Sequence, residues 1–137
     1  MHSALRPTGT DFAPLCAHCA ADPRIVAAYL FGSRAHGTAR ADSDFDLGIL
    51  LDRDLTLAEE LALRADIARL LELDDVDLAL LRSASVLLRY EAMVCGRRLY
   101  ACDAAAVDEI EARTTMEYFD TAHFRKVQQR LMREALR

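Results

Sequence analysis

The stretch DFDLGILL, residues 44–51, alternates strictly. Phe45, Leu47, Ile49 and Leu51 fall on one side, and Asp44, Asp46, Gly48 and Leu50 on the other. A period of two marks a strand, and an apolar strand face demands a covering layer. That restricts the chain to folds built around a sheet. It also poses a chemical problem. A carboxylate beside Phe45 and Leu47 costs several kcal/mol to bury alone, and Asp44 and Asp46 repel each other. Compensating positive charge is expected nearby.

The rest of the chain supplies more strands and the helices to cover them. IVAAYLF, residues 25–31, is a short apolar run rich in strand formers and ends at Gly32. A helix is expected over residues 10–21, with Thr10 or Asp11 as its cap and a stop at Pro23. TLAEELALRADIARLLEL opens with the capping-box pair Thr56 and Glu59, and Leu63, Ile67 and Leu70 then recur at helical spacing. DDVDLALL, residues 74–81, is expected to form a third strand, followed by a short helix near 84–95 and a weak strand around 98–102. From Ala104 onward there is no Gly or Pro, which predicts one long or broken helix. The fold class is α/β (α+β): a small mixed sheet of three to four strands flanked by helices. At 137 residues, residues 1–137 form one domain able to bury roughly two thirds of its unfolded surface. Residues 104–137 form its helical end.

Composition narrows the function classes. With 53% hydrophobic and 28% charged residues the chain is an ordinary globular protein. No stretch approaches the roughly 18 apolar residues of a membrane span, nor does the N-terminus carry a signal-peptide core, so a cytoplasmic location is expected. Arg125, Lys126, Arg130, Arg133 and Arg137 face only Glu134, a net +4 that leaves −9 for residues 1–124 within the overall −5. An acidic body with a basic tail does not suggest direct nucleic-acid binding. Cys16 and Cys19 form a C-x-x-C around His18, but Cys95 and Cys102 have the wrong spacing to complete a zinc site. Both Cys16 and Cys19 lie on one face of the first helix, which favours core thiols.

Three features suggest chemistry. Gly32-Ser33 ends the first strand, where a bare backbone and free N–H groups suit a phosphate. Asp44 and Asp46 share a strand face, roughly 6.5–7 Å apart along it, wide enough to converge on cations between them. Two divalent ions about 3.5–4 Å apart are the usual arrangement for in-line displacement at phosphorus. Asp77, between Val76 and Leu78, offers a third carboxylate from a neighbouring strand. Strand-start aspartates are also common in turns, so it is the joint occurrence with Gly32-Ser33 that favours metal.

Gly32-Ser33, ten intervening residues and D-F-D at 44–46 resemble the G-S-x10-D-x-D signature of polymerase-β-type nucleotidyltransferases. Val76-Asp77-Leu78 is similar to that family's third acidic strand. The likeness covers roughly residues 15–125 and is nearest to the minimal MNT-type members. It implies Asp44, Asp46 and Asp77 as catalytic residues and ligands of two Mg2+ ions. It also implies Gly32 and Ser33 as nucleotide-binding residues. Arg34 either steadies the phosphates or is a surface residue. The implied reaction is attack of an acceptor hydroxyl on the α-phosphorus of ATP, with Asp77 orienting or taking the proton.

The resemblance also implies an acceptor. Only 35 residues, 103–137, follow the last expected strand, too few for an acceptor-binding domain. Met116, Phe119, Val127 and Leu131 keep one helix face apolar, to pack on its own domain or bind a second protein. His123 shares that stripe and is expected to pack. MNT-type antitoxins are paired with HEPN-domain ribonuclease toxins, which implies transfer of AMP to a toxin tyrosine. Two alternatives stand beside it: an antitoxin that only binds its toxin, and a small-molecule nucleotidyltransferase with a separate acceptor-binding subunit.

Overall fold

Ile25–Phe31 forms a strand, β1, in which every residue but Val26 is buried, because it is covered on both faces and paired along both edges. The computed structural model describes residues 11–32, 46–73 and 76–136. On one side β1 pairs antiparallel with β2, Asp46–Leu51, in a register that sets Leu30 opposite Leu47 and Phe31 opposite Asp46. β2 in turn pairs parallel with β3, Asp77–Leu80. On the other side β1 pairs antiparallel with β4, Arg97–Ala101. The order is therefore β3-β2-β1-β4, a mixed four-stranded sheet with β3 at one edge.

Strand alternation divides the core into two layers. Leu30, Leu47, Ile49, Leu51 and Leu78 pack against α1, Ala13–Ala21, and α2, Leu57–Leu71, through Leu15, Cys19, Leu63, Ile67 and Leu71. Ala27, Tyr29, Phe31 and Leu50 meet α3, Val86–Met93, and α4, Ala104–Asp120, through Ala92, Met93 and Val107. The expected capping box is formed: Thr56 Oγ1 accepts from Glu59 N at 3.1 Å, and Glu59 Oε1 accepts from Thr56 N at 2.8 Å. Asp22 turns the chain from α1 into β1 by gripping Arg24 Nε at 3.0 Å and Nη2 at 2.8 Å. Those bonds to the guanidinium hold its carboxyl below the usual range.

Tyr29 points into the second layer and donates to Glu111 Oε2 at 2.6 Å. Arg98 closes the network, 2.8 Å from Glu111 and 2.7 Å from Asp108. Burial, then the bond to Glu111, pushes the Tyr29 hydroxyl's pKa up, and the paired carboxylates raise that of Arg98. This partly buried charge network fixes α4 across β1 and β4.

Several boundaries differ from the expectation, each for a local reason. The first helix begins at Ala13; Phe12 is its N-cap residue, while Asp11 Oδ1 accepts from Ala13 N at 3.0 Å, and Thr10 lies outside the described residues. The third strand is shorter than 74–81. Leu81–Ser83 is a 3-10 turn whose Leu81 side chain is fully buried, and residues 74 and 75 lie outside the described residues. Ser85 caps α3 by accepting from Leu88 N.

The C-terminal third is broken at Thr121 into α4 and α5, Ala122–Ala135. Thr121 Oγ1 donates to the Glu117 carbonyl, and Arg125 reaches back to the Tyr118 carbonyl at 2.7 Å, bonds that bend the chain without Gly or Pro. Most of the apolar stripe is left open: Met116, Phe119 and Leu131 are exposed, Val127 is half-buried, and Phe119 meets Tyr90 of α3 edge-on with ring centres 6.1 Å apart. His123 is likewise exposed, its ring edge-on to that of Phe124 with centres 6.0 Å apart, which corrects the packing expectation.

Gly48 marks how closely the second layer approaches β2, since a Cβ there would lie 2.9 Å from Leu81 Cδ1. Gly48→Ala is expected to lower the unfolding free energy by about 1–3 kcal/mol through overpacking. Urea denaturation checks this, and a wild-type midpoint would show that the 3-10 turn yields freely.

Candidate active site

The strand ends bring the sequence-predicted residues to one edge of the domain. β1 finishes at Gly32, whose φ of +81° lies in the left-handed region. β2 begins at Asp46 beside that turn, because Phe31 and Asp46 are cross-strand partners. β3 begins at Asp77, the register partner of Asp46. Adjacent strands lie about 4.8 Å apart, so these two carboxyl groups start from neighbouring backbone positions.

Alternation sets the side they share. Leu47 and Leu78 belong to the α1–α2 layer, whereas Leu50 and Ala79 pack in the α3–α4 layer. Asp46 and Asp77 precede these by the right parity to lie on the α3–α4 side together. Asp46 is half-buried and Asp77 exposed. Their position at the sheet's end, not its middle, is why the desolvation cost that the sequence suggests is much reduced. A Cβ on Gly32 would run into Asp46 Oδ2, so glycine leaves the space that the carboxylate uses.

Three predicted residues, Ser33, Arg34 and Asp44, lie outside the described residues. Among the described residues no three His, Cys, Asp or Glu side chains form a group suited to a metal. Asp46 and Asp77 are two carboxylates that start from paired positions on adjacent strands. Carboxylate oxygens on adjacent strands are the hard donors that Mg2+ prefers, so the pair fits the ion chemically.

One supporting contact has no signature in the sequence. Arg64 on α2 is paired with Glu60 at 3.0 Å and donates through Nη2 to the Leu78 carbonyl, also at 3.0 Å. It thereby ties edge strand β3 to the helix layer one residue beyond Asp77. The cysteines take no part. Cys19 is fully buried, and its thiol is pushed up to about 12, first by burial and then by neighbouring negative charge. Cys16 donates to the Leu99 carbonyl at 3.2 Å.

The family profile described as Polymerase beta, Nucleotidyltransferase matches residues 15–105. The protein adenylyltransferase MntA of Shewanella oneidensis is 33% identical over 97 residues, covering 71% of this chain and 68% of that protein. A chain from the crystal structure of a toxin–antitoxin with AMP-PNP superposes with a TM-score of 0.69 at 25% identity, covering 91% of this chain and 99% of that one. A chain of the tri-AMPylated Shewanella oneidensis HEPN toxin in complex with MNT antitoxin gives a TM-score of 0.61 at 26% identity, covering 85% and 87%.

Gly32→Ala forces both an unfavourable φ and a clash with Asp46. It is expected to lower stability by about 1–2 kcal/mol. Thermal unfolding tests this; an unchanged transition would mean the turn has another accessible conformation.

Proposed function

This chain belongs to the polymerase-β nucleotidyltransferase family, and from that premise we propose that it is the antitoxin of a HEPN-domain ribonuclease toxin, transferring AMP from ATP to a toxin tyrosine. The observation that carries the proposal is the in-register pairing of Asp46 with Asp77 beside Gly32. The likeness to a protein named as an adenylyltransferase supplies the acceptor class. The match to a toxin–antitoxin with AMP-PNP supports a nucleotide substrate, and the match to an AMPylated HEPN toxin complex supports the partner.

In this reading the triphosphate lies over Gly32, where the missing Cβ admits a close approach, and Ser33 offers its hydroxyl and N–H to it. Arg34 offers a cation to the phosphates. Asp44, Asp46 and Asp77 are the residues that would hold magnesium. When bound, magnesium supplies charge neutralisation at the transferred and leaving phosphates and lowers the acceptor hydroxyl's pKa.

The tyrosine oxygen attacks the α-phosphorus, a new P–O bond forms, the bond to the β-phosphate oxygen breaks, and pyrophosphate departs. In this reading Asp77, the first residue of β3, accepts the phenolic proton. It is exposed, so that proton passes readily to solvent. Residues 1–137 act as a single catalytic domain, with 104–137 contributing to partner binding.

Incubating the chain with labelled ATP, magnesium and the HEPN-domain protein encoded beside it is the direct test. The label should appear on the toxin. Asp44→Asn should abolish labelling with little loss of stability, since it removes like-charge repulsion from Asp46. Neutralisation of the toxin without label would instead establish a binding antitoxin, and label on a small molecule a different acceptor.

A further inference from the structure

Helix α5 is the least explained part of the molecule. It buries nothing, yet its apolar residues are ordered on one side: Phe124, Val127, Leu131 and Ala135 recur at i, i+3, i+7 and i+11, with Met132 beside them. Phe124 is 71% exposed, Leu131 55% and Met132 65%. Phe124 and Met132 wall a groove of about 430 Å³, whose opposite wall is Val86 and Leu87 at the start of α3. An exposed apolar stripe of this regularity marks a contact surface.

The helix is held in that exposed position. Arg125 donates to the Tyr118 carbonyl at 2.7 Å and to Thr121 Oγ1 at 2.6 Å. Its guanidinium also lies 3.8 Å from the centre of the Tyr118 ring, which stacks at 3.8 Å on Tyr90 of α3. This column latches the α4–α5 corner to the body. α5 is therefore preorganised away from its own sheet, which lowers the entropic cost of binding.

Charge indicates what covers it. Within α5, Arg125, Lys126, Arg130 and Arg133 oppose the single acid Glu134, on a chain whose net charge is −5. A second copy would bring these cations together. A nucleic acid would answer the charge but leave the apolar stripe wet. An apolar protein surface edged by carboxylates answers both.

We propose that the α5 stripe and the α3–α5 groove form the docking surface for the toxin, engaging an apolar, acid-rimmed patch on it; this rests on the functional reading above. The groove is lined by the start of α3 and by α5, and shares no residue with the Gly32, Asp46 and Asp77 cluster at the N-terminal ends of β2 and β3.

The test uses the full chain and the purified HEPN-domain protein encoded beside it. Leu131→Glu, and separately Phe124→Ala with Leu131→Ala, should weaken toxin binding by at least about 30-fold. The KM for toxin should rise while kcat at saturation and ATP affinity stay within about twofold, and thermal unfolding should not move because both side chains are exposed. Arg130→Glu with Arg133→Glu should slow association about tenfold and flatten its salt dependence. Wild-type affinity in Leu131→Glu, with AMP transfer intact, overturns the docking surface and leaves the function standing. Self-association of the chain alone that Leu131→Glu abolishes assigns the stripe to a second copy and overturns it too. So does displacement of the toxin from α5 by an RNA oligonucleotide. A wild-type chain that neither binds nor labels the toxin sinks both proposals together.

Discussion

The parallel pairing of β2 with β3 is the constraint on which the rest depends. It joins an edge strand of four residues to the inner sheet and sets Asp46 level with Asp77. A slip of one residue would turn Asp77 to the opposite face, into the layer occupied by Leu78. Leu78 and Leu81 oppose such a slip, each buried in a different layer. Arg64 adds a donor to the Leu78 carbonyl. The acidic pair is thus held by apolar packing on both faces of the sheet, with little contribution from the carboxylates themselves.

Much of this was legible in the residues. The alternation of 44–51, the apolar run of 25–31 and the Thr56–Glu59 capping box each state their element locally, and the structure has the last two and, from Asp46 onward, the first, residues 44 and 45 lying outside the described residues. Gly32, Asp46 and Asp77 were legible as candidates through spacing. Their meeting was not, because it follows from a register set by side chains far apart in sequence. The Arg64 contact was invisible for the same reason: it crosses from a helix to an edge strand.

The C-terminal third shows the complementary lesson. Periodicity identified an apolar stripe through Met116, Phe119, Val127 and Leu131 but not whether anything covers it. The bend at Thr121 comes from bonds to Tyr118 and from the Tyr90–Tyr118–Arg125 column, which involve another helix. No Gly or Pro announces it. The bend divides between two helices the stripe that continuous helicity would have laid along one line. The paired carboxylates and the exposed stripe are separate features of one small fold, joined through α4 and the Tyr29–Glu111–Arg98 network.

A double-mutant cycle on the acidic pair tests the central claim most directly. Initial rates of AMP transfer to the toxin would be compared for Asp46→Asn, Asp77→Asn and the two combined. If the carboxylates act as one unit, each single change should cost about a thousandfold, and the combination should be no slower than the worse single variant. Near-wild-type transfer by Asp77→Asn, or losses that simply multiply, would contradict a shared site at the start of β2 and β3.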